Sequence, residues 1–378
     1  MTSPMHICFF SHSSDFWGAE QSLLDTLTVF KQHNIECTLV CPKEGQLPTE
    51  AKKLGIRCLI LGYEQWVSVD HPIVTRTLRT FRNYIRAKWF CLRYKHVKFT
   101  HCYTNSMTIN IGALVAKQLK IDHIWHIREY GLSHHNQSFD CSQKKAYSFI
   151  VSHTKHLVAV SHAVASVLKP YTKKTIHVIR NIVPLKEAIS PITLSESQWT
   201  PLQCVMLGHI NPSKNQLMAI QAVVDLITKK NRAITLTIIG GANDNYRNQL
   251  NKLIQDHQLQ RQIKLIPFTN KPLDYLNKAH VLIVTSKFEA SPRIIVEAMR
   301  LSKPVIVNDS GGAPELVQES GNGLIYNYQS NEELKAAIDY AYKNPADMIQ
   351  KGKKGYDWVT THLKKQQYMD QLIALLKT

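Results

Sequence analysis

The chain has 378 residues, of which 44% are hydrophobic and 20% charged; this ordinary globular composition leaves room for two or three domains and excludes collagen-like, low-complexity and wholly disordered chains. The 46 Lys and Arg residues against 28 Asp and Glu give a net charge of +18, which favours a polyanionic partner, either nucleic acid or an anionic lipid surface. Eight cysteines without CxxC spacing argue against a zinc ribbon and favour a reducing compartment.

Short β-rich runs alternate with helical patterns along the chain, which predicts parallel sheets built from βαβ units. The first series of predicted strands covers residues 6–10, 37–41, 57–61, 100–104, 123–125, 157–160 and 175–179. The second series covers residues 203–207, 235–239, 263–265, 281–284, 304–307 and 323–325. Residues 184–201, between the two series, contain Pro, Ser and Thr without sustained periodicity and predict a linker.

These patterns predict an α/β fold with two Rossmann-like, doubly wound domains, residues 1–183 and 202–358, that face each other across a cleft. In such domains, ligands bind beyond the carboxyl ends of the strands. A C-terminal helix is predicted over residues 359–378, and the pattern leaves open whether it crosses back to the first domain.

A large part of the excess charge lies in residues 71–100, which hold eight basic residues and no acidic one. A helical pattern over residues 74–92 places six apolar side chains within an arc of about 80° at 3.6 residues per turn, and places Arg79, Arg82, Arg86 and Arg93 on one flank of that stripe. Two interpretations stay open. Either the helix lies in a membrane interface with its arginines toward lipid phosphates, or it packs the stripe on the core and leaves the arginines solvated.

The segment with the clearest chemistry is residues 288–299, which follows a predicted strand and opens a helical pattern. Glu289 falls in the loop and Glu297 in the helix. The free amides of the helix start, together with Arg293, form an anion site, and ionised carboxylates beside it accept hydrogen bonds from hydroxyl groups. From spacing alone, a loop-capping Glu289 and a solvated Glu297 remain the simpler interpretation.

The surrounding motifs resemble the retaining GT-B glycosyltransferases of family 4, which carry two glutamates with this spacing. The similarity continues through residues 304–306, 311–315 and 322–324, and through residues 207–214, where a glycine and a basic residue precede Lys214. In the first half, Gly18-Ala19-Glu20 resembles the family's opening glycine loop. Residues 125–129, which contain His126, resemble the motif of its active-site histidine.

The resemblance implies a role for each matching residue. Glu297 binds the ribose of a nucleotide sugar, Glu289 holds hydroxyls of the transferred sugar, and Lys214 contacts the diphosphate. His126 contacts the donor sugar or helps to place the acceptor. The expected donor-binding set is completed by Gly18, His209, which stands where the family usually has arginine, and Pro292, Arg293 and Ile294 at the helix start.

The expected activity is therefore retaining transfer of a hexose-type sugar from a nucleotide-diphosphate sugar to a saccharide or lipid-linked acceptor, in the synthesis of cell-surface polysaccharide or glycolipid. Front-face attack, as the family's retention is usually explained, requires no protein nucleophile. A nucleotide-sugar epimerase or phosphorylase of the same fold, and an inactive scaffold that binds polyanions, remain alternatives. Nucleic acid is the less favoured partner, because no recognised nucleic-acid module is present.

No metal or other cofactor is expected, because the sequence contains no Asp-x-Asp pair to hold a metal on the diphosphate. The apolar run before Ser11 is too short for the core of a signal peptide, and no stretch approaches the roughly 18 apolar residues of a membrane span. We therefore expect a cytoplasmic protein, with a peripheral position on the inner face of the membrane if the basic helix binds lipid.

Overall fold

The computed structural model describes residues 5–68, 72–130, 137–184, 190–192, 195–242 and 244–378. They form two compact units. The first unit comprises Met1–Pro184 and Lys365–Thr378, and the second comprises Leu185–Lys364.

A parallel sheet forms the centre of the first unit. The strands of this unit are β1 (His6–Ser11), β2 (Glu36–Cys41), β3 (Arg57–Ile60), β4 (Val67–Ser68), β5 (His101–Asn105), β6 (Asp122–Ile127), β7 (Ser138–Phe139), β8 (His156–Ala159) and β9 (Ile176–Val178). Seven of them pair in the order β3-β2-β1-β5-β6-β8-β9, and β4 pairs with β7 in a separate antiparallel ribbon.

Helices cover this sheet and bury its apolar side chains. They are α1 (Gly18–Gln32), α2 (Gln46–Lys53), α3 (Ile73–Arg93), α4 (Ile111–Leu119), α5 (Gln143–Ser152) and α6 (His162–Leu168). Phe9 of β1 packs against Phe30 of α1 and Tyr103 of β5, with ring centroids 5.7 and 4.9 Å apart. Because helices lie on the sheet, every residue of its central strands β1 and β5 is buried.

The second unit repeats this plan with a six-stranded parallel sheet. Its strands are β10 (Leu202–Leu207), β11 (Ile234–Ile239), β12 (Ile263–Ile266), β13 (Val281–Val284), β14 (Val305–Asn308) and β15 (Gly323–Tyr326). They pair in the order β12-β11-β10-β13-β14-β15. Its helices are α7 (Gln216–Lys230), α8 (Asp244–Asp256), α9 (Pro272–Lys278), α10 (Arg293–Arg300), α11 (Ala313–Ser320), α12 (Asn331–Lys343) and α13 (Pro345–His362).

The chain order reverses at one point in each sheet, between β1 and β5 and between β10 and β13. At such a switch point the loops leave the two neighbouring strands in opposite directions and open a crevice for ligands. The predicted two-domain doubly wound fold is confirmed, and all thirteen predicted strands are present within two residues at each end.

The last helix, α14 (Lys365–Lys377), belongs to the first unit. Its buried Met369 and Leu372 join the core around Phe9. The Tyr368 hydroxyl lies 2.7 Å from the Thr26 hydroxyl of α1. The helical pattern over residues 359–378 is therefore divided in the structure, because α13 ends at His362 and a separate helix begins at Lys365.

Part of the segment predicted as a linker packs on the second unit. Trp199 is buried, stacks on His280 with ring centroids 4.7 Å apart, and donates to the Ala341 carbonyl at 2.8 Å. The Ile192 amide donates to the Asn277 side chain at 2.9 Å. Residues 185–189, 193 and 194 of the same segment lie outside the described residues.

Helix α3 places its apolar stripe outward. The side chains of the stripe are all exposed: Val74, Leu78, Phe81, Ile85, Trp89 and Leu92. The opposite face carries the buried side chains of Arg79, Asn83, Ala87 and Phe90. The interpretation that the stripe packs on the core is therefore wrong for this structure.

The arginines of α3 do not behave as one group. Arg79 is buried in an ion pair with Asp140, so its assignment to a lipid-facing patch is wrong. Glu64 pairs with Arg82 at 3.6 Å and with Arg86 at 3.1 Å. Arg93 is exposed and lies over the Tyr94 ring, 5.5 Å from its centroid. None of the described helices has the length and apolar character needed to cross a bilayer.

Candidate active site

The loop after β10 lines one side of the crevice in the second unit. Gly208 has φ +136°, a backbone conformation that favours glycine. Gly240, after β11, approaches it so closely that a Cβ there would lie 1.9 Å from the Gly208 carbonyl oxygen. Exposed His209 follows, with Nδ1 2.5 Å from the Gly241 carbonyl. Because a carbonyl only accepts, Nδ1 donates this hydrogen bond.

Lys214 is positioned by hydrogen bonds to its backbone. The Asn211 side chain accepts from the Lys214 amide at 3.1 Å and fixes the short 3₁₀ turn Pro212–Lys214. From the loop after β13, the Thr285 hydroxyl contacts the Lys214 and Asn215 carbonyls at 2.7 and 3.0 Å. The two loops on either side of the switch point are thereby joined.

Lys214 and Glu289 form an ion pair across this crevice. The two side chains remain 33% and 22% exposed, so a ligand can reach both. The third loop, after β14, fixes the glutamate backbone. There the Gly312 amide donates to the Glu289 carbonyl at 2.7 Å, and a Cβ on Gly311 (φ +68°) would lie 2.3 Å from that same oxygen.

Helix α10 begins beside this pair. Pro292 precedes the helix as its N-cap residue, and Arg293 and Ile294 are its first two residues, so their backbone amides lie at the helix start. Ile294 lines a cavity of about 30 Å³ together with Lys214 and Glu289. Glu297 is half-buried one turn after Arg293, on the same side of the helix. The structure therefore gathers Lys214, Glu289 and the start of α10, while Glu297 lies further along that helix.

The loop after β1 in the first unit leads to Gly18, the first residue of α1, which is exposed. Buried Glu20 fixes this turn, since its carboxylate accepts from the Trp17 amide at 3.1 Å and contacts His12 Nε2 at 3.1 Å. Gly18 therefore lies at an exposed helix start, beyond the carboxyl end of a central strand.

His126 is not accessible in this structure. Its ring is fully buried, with Nδ1 against the Tyr103 hydroxyl and 3.5 Å from Arg128 Nη2. Burial, and then the positive charge of Arg128, hold the pKa of His126 well below its usual range, so the ring is neutral. The ring packs against Arg128 in this structure, and the expectation that His126 contacts the donor sugar or helps to place the acceptor stays a prediction.

Arg128 is a residue to which the sequence analysis gave no role. It directly follows β6 and is buried, and its guanidinium donates from Nε to the Asn105 side chain and from Nη1 to that of Asn181. Both partners are neutral amides, and no carboxylate of the described residues lies within ion-pair distance. The available signal was its position, a charged residue immediately after a central strand.

Within the described parts of the chain, no group of three or more His, Cys, Asp or Glu residues is arranged to hold a metal ion. Lys214 and Arg293 supply positive charge beside the crevice of the second unit.

Comparison with known families identifies the class to which this fold and site belong. The model of Glycosyltransferase Family 4 matches residues 17–187, and that of Glycosyl transferases group 1 matches residues 195–358. The structure of Anabaena HepE in complex with UDP superimposes with a TM-score of 0.78 at 17% identity, over 99% of this chain and 100% of that one. The chain belongs to the family 4 glycosyltransferases of the GT-B fold.

Two curated relatives illustrate the family. The poly(ribitol-phosphate) alpha-N-acetylglucosaminyltransferase of Staphylococcus aureus is 25% identical over 218 residues, which are 54% of this chain and 42% of that protein. The N-acetylgalactosamine-N,N'-diacetylbacillosaminyl-diphospho-undecaprenol 4-alpha-N-acetylgalactosaminyltransferase of Campylobacter jejuni is 27% identical over 150 residues, 37% of this chain and 40% of that protein. The match spans less than half the length of each relative.

Proposed function

We propose that the protein transfers a hexose-type sugar, with retention, from a nucleotide-diphosphate sugar to a saccharide or lipid-linked acceptor in the synthesis of cell-surface polysaccharide or glycolipid. The observation that carries this proposal is the Lys214–Glu289 pair in the crevice of the second unit, beside the start of α10. An accessible cation, an accessible carboxylate and the backbone amides at a helix start match the diphosphate and hydroxyl groups of such a donor.

In this proposal the ion pair separates when the donor binds. Lys214 exchanges the carboxylate for the β-phosphate, and Glu289 then accepts hydrogen bonds from the hydroxyls of the sugar. The amides at the start of α10, with Arg293 and His209, complete the phosphate contacts. Glu297, one turn into the helix, accepts from the ribose hydroxyls.

The reaction then needs positioning and charge stabilisation rather than a protein nucleophile. As the bond to the sugar breaks, negative charge develops on the departing diphosphate, and Lys214 is held by Thr285 and Asn211 where it can balance that charge. In front-face attack, the departing phosphate takes the proton of the acceptor hydroxyl. The transferred sugar keeps its anomeric configuration.

The names of similar proteins support this proposal. HepE structures contain UDP, UDP with glucose, or UDP-glucose. The two curated relatives form alpha linkages, one on poly(ribitol-phosphate) and the other on a saccharide carried by diphospho-undecaprenol. We propose that donor transfer is independent of metal ions, since Lys214 and the α10 amides supply the positive charge.

We also propose that the protein works at the inner membrane surface. The support is α3, whose six exposed apolar side chains and exposed Arg93 form the pattern of a helix that lies in a lipid interface. A lipid-linked acceptor would be presented at that surface.

A thermal-shift screen against nucleoside diphosphates and nucleotide sugars tests the donor class, because a ligand that binds only the folded state raises the melting temperature. We expect nucleoside diphosphates to stabilise the protein, and sugar transfer from the matching donor to persist in excess EDTA. No shift with any nucleotide, or loss of transfer in EDTA with recovery on adding Mg²⁺ or Mn²⁺, would contradict the proposal.

Calorimetry with the nucleoside diphosphate separates the two glutamates. Glu297→Ala should weaken the diphosphate and the sugar donor alike, since both contain the ribose. Glu289→Ala should reduce turnover without weakening the diphosphate, because Lys214 loses a competing partner. Glu332→Ala, at an exposed glutamate of α12, is the matched control. Equal weakening by the two site variants would refute these roles.

A further inference from the structure

A large cavity lies beside α3 in the first unit, with a volume of about 650 Å³. This volume is typical of a site for a small molecule. Its wall includes the side chains of Trp66, Phe81, Tyr84, Leu114 and Phe149. The Trp66 indole is held in place by donating to the Met107 carbonyl at 2.7 Å, so this part of the wall is rigid.

Several polar groups in the wall have partners within the protein. The Asn110 side chain accepts from Asn83 at 3.2 Å, and the Thr80 hydroxyl donates to the Arg76 carbonyl at 3.2 Å. Asp140 also lines the cavity, and its carboxylate is paired with buried Arg79. A saccharide needs many hydrogen-bonding partners, and this wall offers it few, whereas a hydrocarbon chain needs none.

The charge beside the cavity is positive. Lys145 lines it and is exposed, and Arg76 lines it from the first turns of α3. Since the carboxylate of Asp140 is paired with Arg79, exposed Lys145 favours an anionic group next to the apolar wall. A phosphate on a hydrocarbon chain has this combination of properties.

The cavity is continuous with the exposed stripe of α3. Phe81 belongs to both, and its side chain is 59% exposed. On the helix, Thr77, Thr80 and Tyr84 line the cavity along one flank of the stripe, whereas Arg82, Arg86 and Arg93 lie on the opposite flank. A lipid chain that leaves the bilayer beside this first flank of α3 would therefore reach the cavity.

We propose that this cavity binds the hydrocarbon chain of a lipid phosphate, with the phosphate at Lys145. The inference rests on the proposed function, and deepens it, because it names the part of the first unit that would hold the lipid of a lipid-linked acceptor. Chain burial accounts for the apolar wall, and the phosphate accounts for the exposed cation at its edge.

The first test titrates the protein by calorimetry with farnesyl phosphate below its critical micelle concentration. We expect saturable binding of one molecule per chain. Thr80→Trp, which fills the cavity from α3, should weaken it at least tenfold. Thr75→Trp is the matched control, since this exposed position on the same helix does not line the cavity, and it should bind within twofold of the unmodified protein. Lys145→Ala should weaken farnesyl phosphate several-fold and leave farnesol unchanged, and inorganic phosphate alone should not bind.

A second test uses the protein without substitution. Cys141 lines the cavity and is half-buried, whereas half-buried Cys58 and Cys91 lie outside its lining and serve as internal controls. Farnesyl phosphate should slow alkylation of Cys141 by iodoacetamide at least fivefold and leave the other two rates unchanged. Absence of saturable binding, equal binding by the two Trp variants, or an unprotected Cys141 would each overturn the proposal.

Nucleoside diphosphate binding, measured on the same samples, distinguishes the two proposals. If the diphosphate binds and farnesyl phosphate does not, the lipid site is wrong and the donor site stands. If farnesyl phosphate binds and no nucleotide does, the proposed glycosyl transfer is wrong while the cavity remains a lipid site.

Discussion

The two units hold their basic residues in different ways. In the second unit, carboxylates pair with surface cations, and Asp339 alone contacts Lys230, Arg232 and Lys343. In the first unit, α3 carries six basic residues and no acidic one, and Glu64 is the carboxylate that Arg82 and Arg86 share. One helix of the first unit therefore carries six basic residues that no acidic residue of the same helix offsets.

This difference assigns different partners to the two units. Cations that are fully paired by carboxylates contribute little to an external field, whereas a helix whose basic residues outnumber the carboxylates paired with them attracts anions from solution. The first unit therefore presents a charged surface to a large anionic partner. The second unit presents Lys214 at a crevice, where Glu289 is a partner that a ligand can replace.

The largest effect is expected at Arg79, which distinguishes a structural arginine of α3 from a surface one. Arg79→Gln leaves the Asp140 carboxylate buried without its cation, and breaking a buried pair in this way costs about 3–5 kcal/mol. Urea unfolding should show this loss of stability. If the free energy of unfolding is unchanged and binding to anionic vesicles is weaker, Arg79 belongs to the lipid-facing arginines after all.

Lys214→Ala tests whether Lys214, which pairs with Glu289 in the second unit, binds the diphosphate. Loss of a charge-assisted hydrogen bond should weaken the nucleoside diphosphate by about 1.5–3 kcal/mol, roughly ten- to a hundredfold. The free energy of unfolding should change little, because the ion pair is partly exposed. Calorimetry provides the measurement, and an unchanged affinity would show that residues 208–214 do not bind the diphosphate. Lys214→Arg is not expected to restore the contact, since the guanidinium is larger and differently directed.

The charged surface of the first unit is tested at Lys88 and Arg93. These two side chains lie over the rings of Tyr84 and Tyr94, and each cation near an anionic surface contributes about 1 kcal/mol. The double substitution to Gln should weaken sedimentation with anionic vesicles by about thirtyfold, and raised salt should have a similar effect.

The matched control for that experiment removes the same charge elsewhere on the first unit. Lys52 and Lys53 of α2 are exposed and pair with Glu44 and Glu50, so their replacement by Gln should have a smaller effect. Trp89, 51% exposed on the stripe, should shift its fluorescence to the blue when vesicles are added. No shift, together with equal effects of the two double variants, would show that α3 does not contact lipid.

Arg128 is a second buried arginine of the first unit, and unlike Arg79 its side-chain partners are neutral amides. A buried charge without a counter-ion is costly, so we propose that Arg128 is retained to bind an anionic group of a substrate. Arg128→Gln should lower turnover about tenfold, the effect of about 1.4 kcal/mol, while the free energy of unfolding stays the same or rises. A large loss of stability with normal turnover of the folded fraction would make Arg128 a structural residue.

Acid should weaken the first unit through buried histidines. Burial lowers the pKa of His123 to about 4 and holds that of His126 well below its usual range. Between pH 6.5 and 4 the unfolded chain binds more protons than the folded one, so stability falls as the pH is lowered through this range. We expect His123 to account for about 1 kcal/mol between pH 7 and 5.5, and urea unfolding of His123→Gln at both pH values should show a smaller difference. An equal difference would assign the acid sensitivity to other groups.

Much of the fold was predictable, because apolar runs and their spacing are local properties. The strands that the pattern missed are β4 and β7, which have two residues each and are too short to show a period. The helix predicted over residues 74–92 is present as Ile73–Arg93. Periodicity alone did not reveal which face of it is buried.

The candidate site was predictable where its residues lie in one segment. Glu289, Pro292, Arg293, Ile294 and Glu297 are close in the chain, and their place between a strand and a helix follows from the local pattern. The pairing of Glu289 with Lys214 joins residues separated by 75 positions. This pairing could not be predicted from the sequence, because it depends on the loops after β10 and β13 lying next to each other at the switch point.

The sequence by itself determined the α/β order of the two sheets and the loop–helix that carries the glutamates, because these depend on residues close along the chain. Tertiary structure alone decided that Arg79 is buried and that the apolar stripe faces outward, since Asp140, the partner that neutralises Arg79, lies 61 positions away. It also decided that His126 is enclosed, because Tyr103 of the neighbouring strand and Arg128 surround its ring. A charged or polar side chain becomes buried where the fold supplies its partner, and that partner is set by packing.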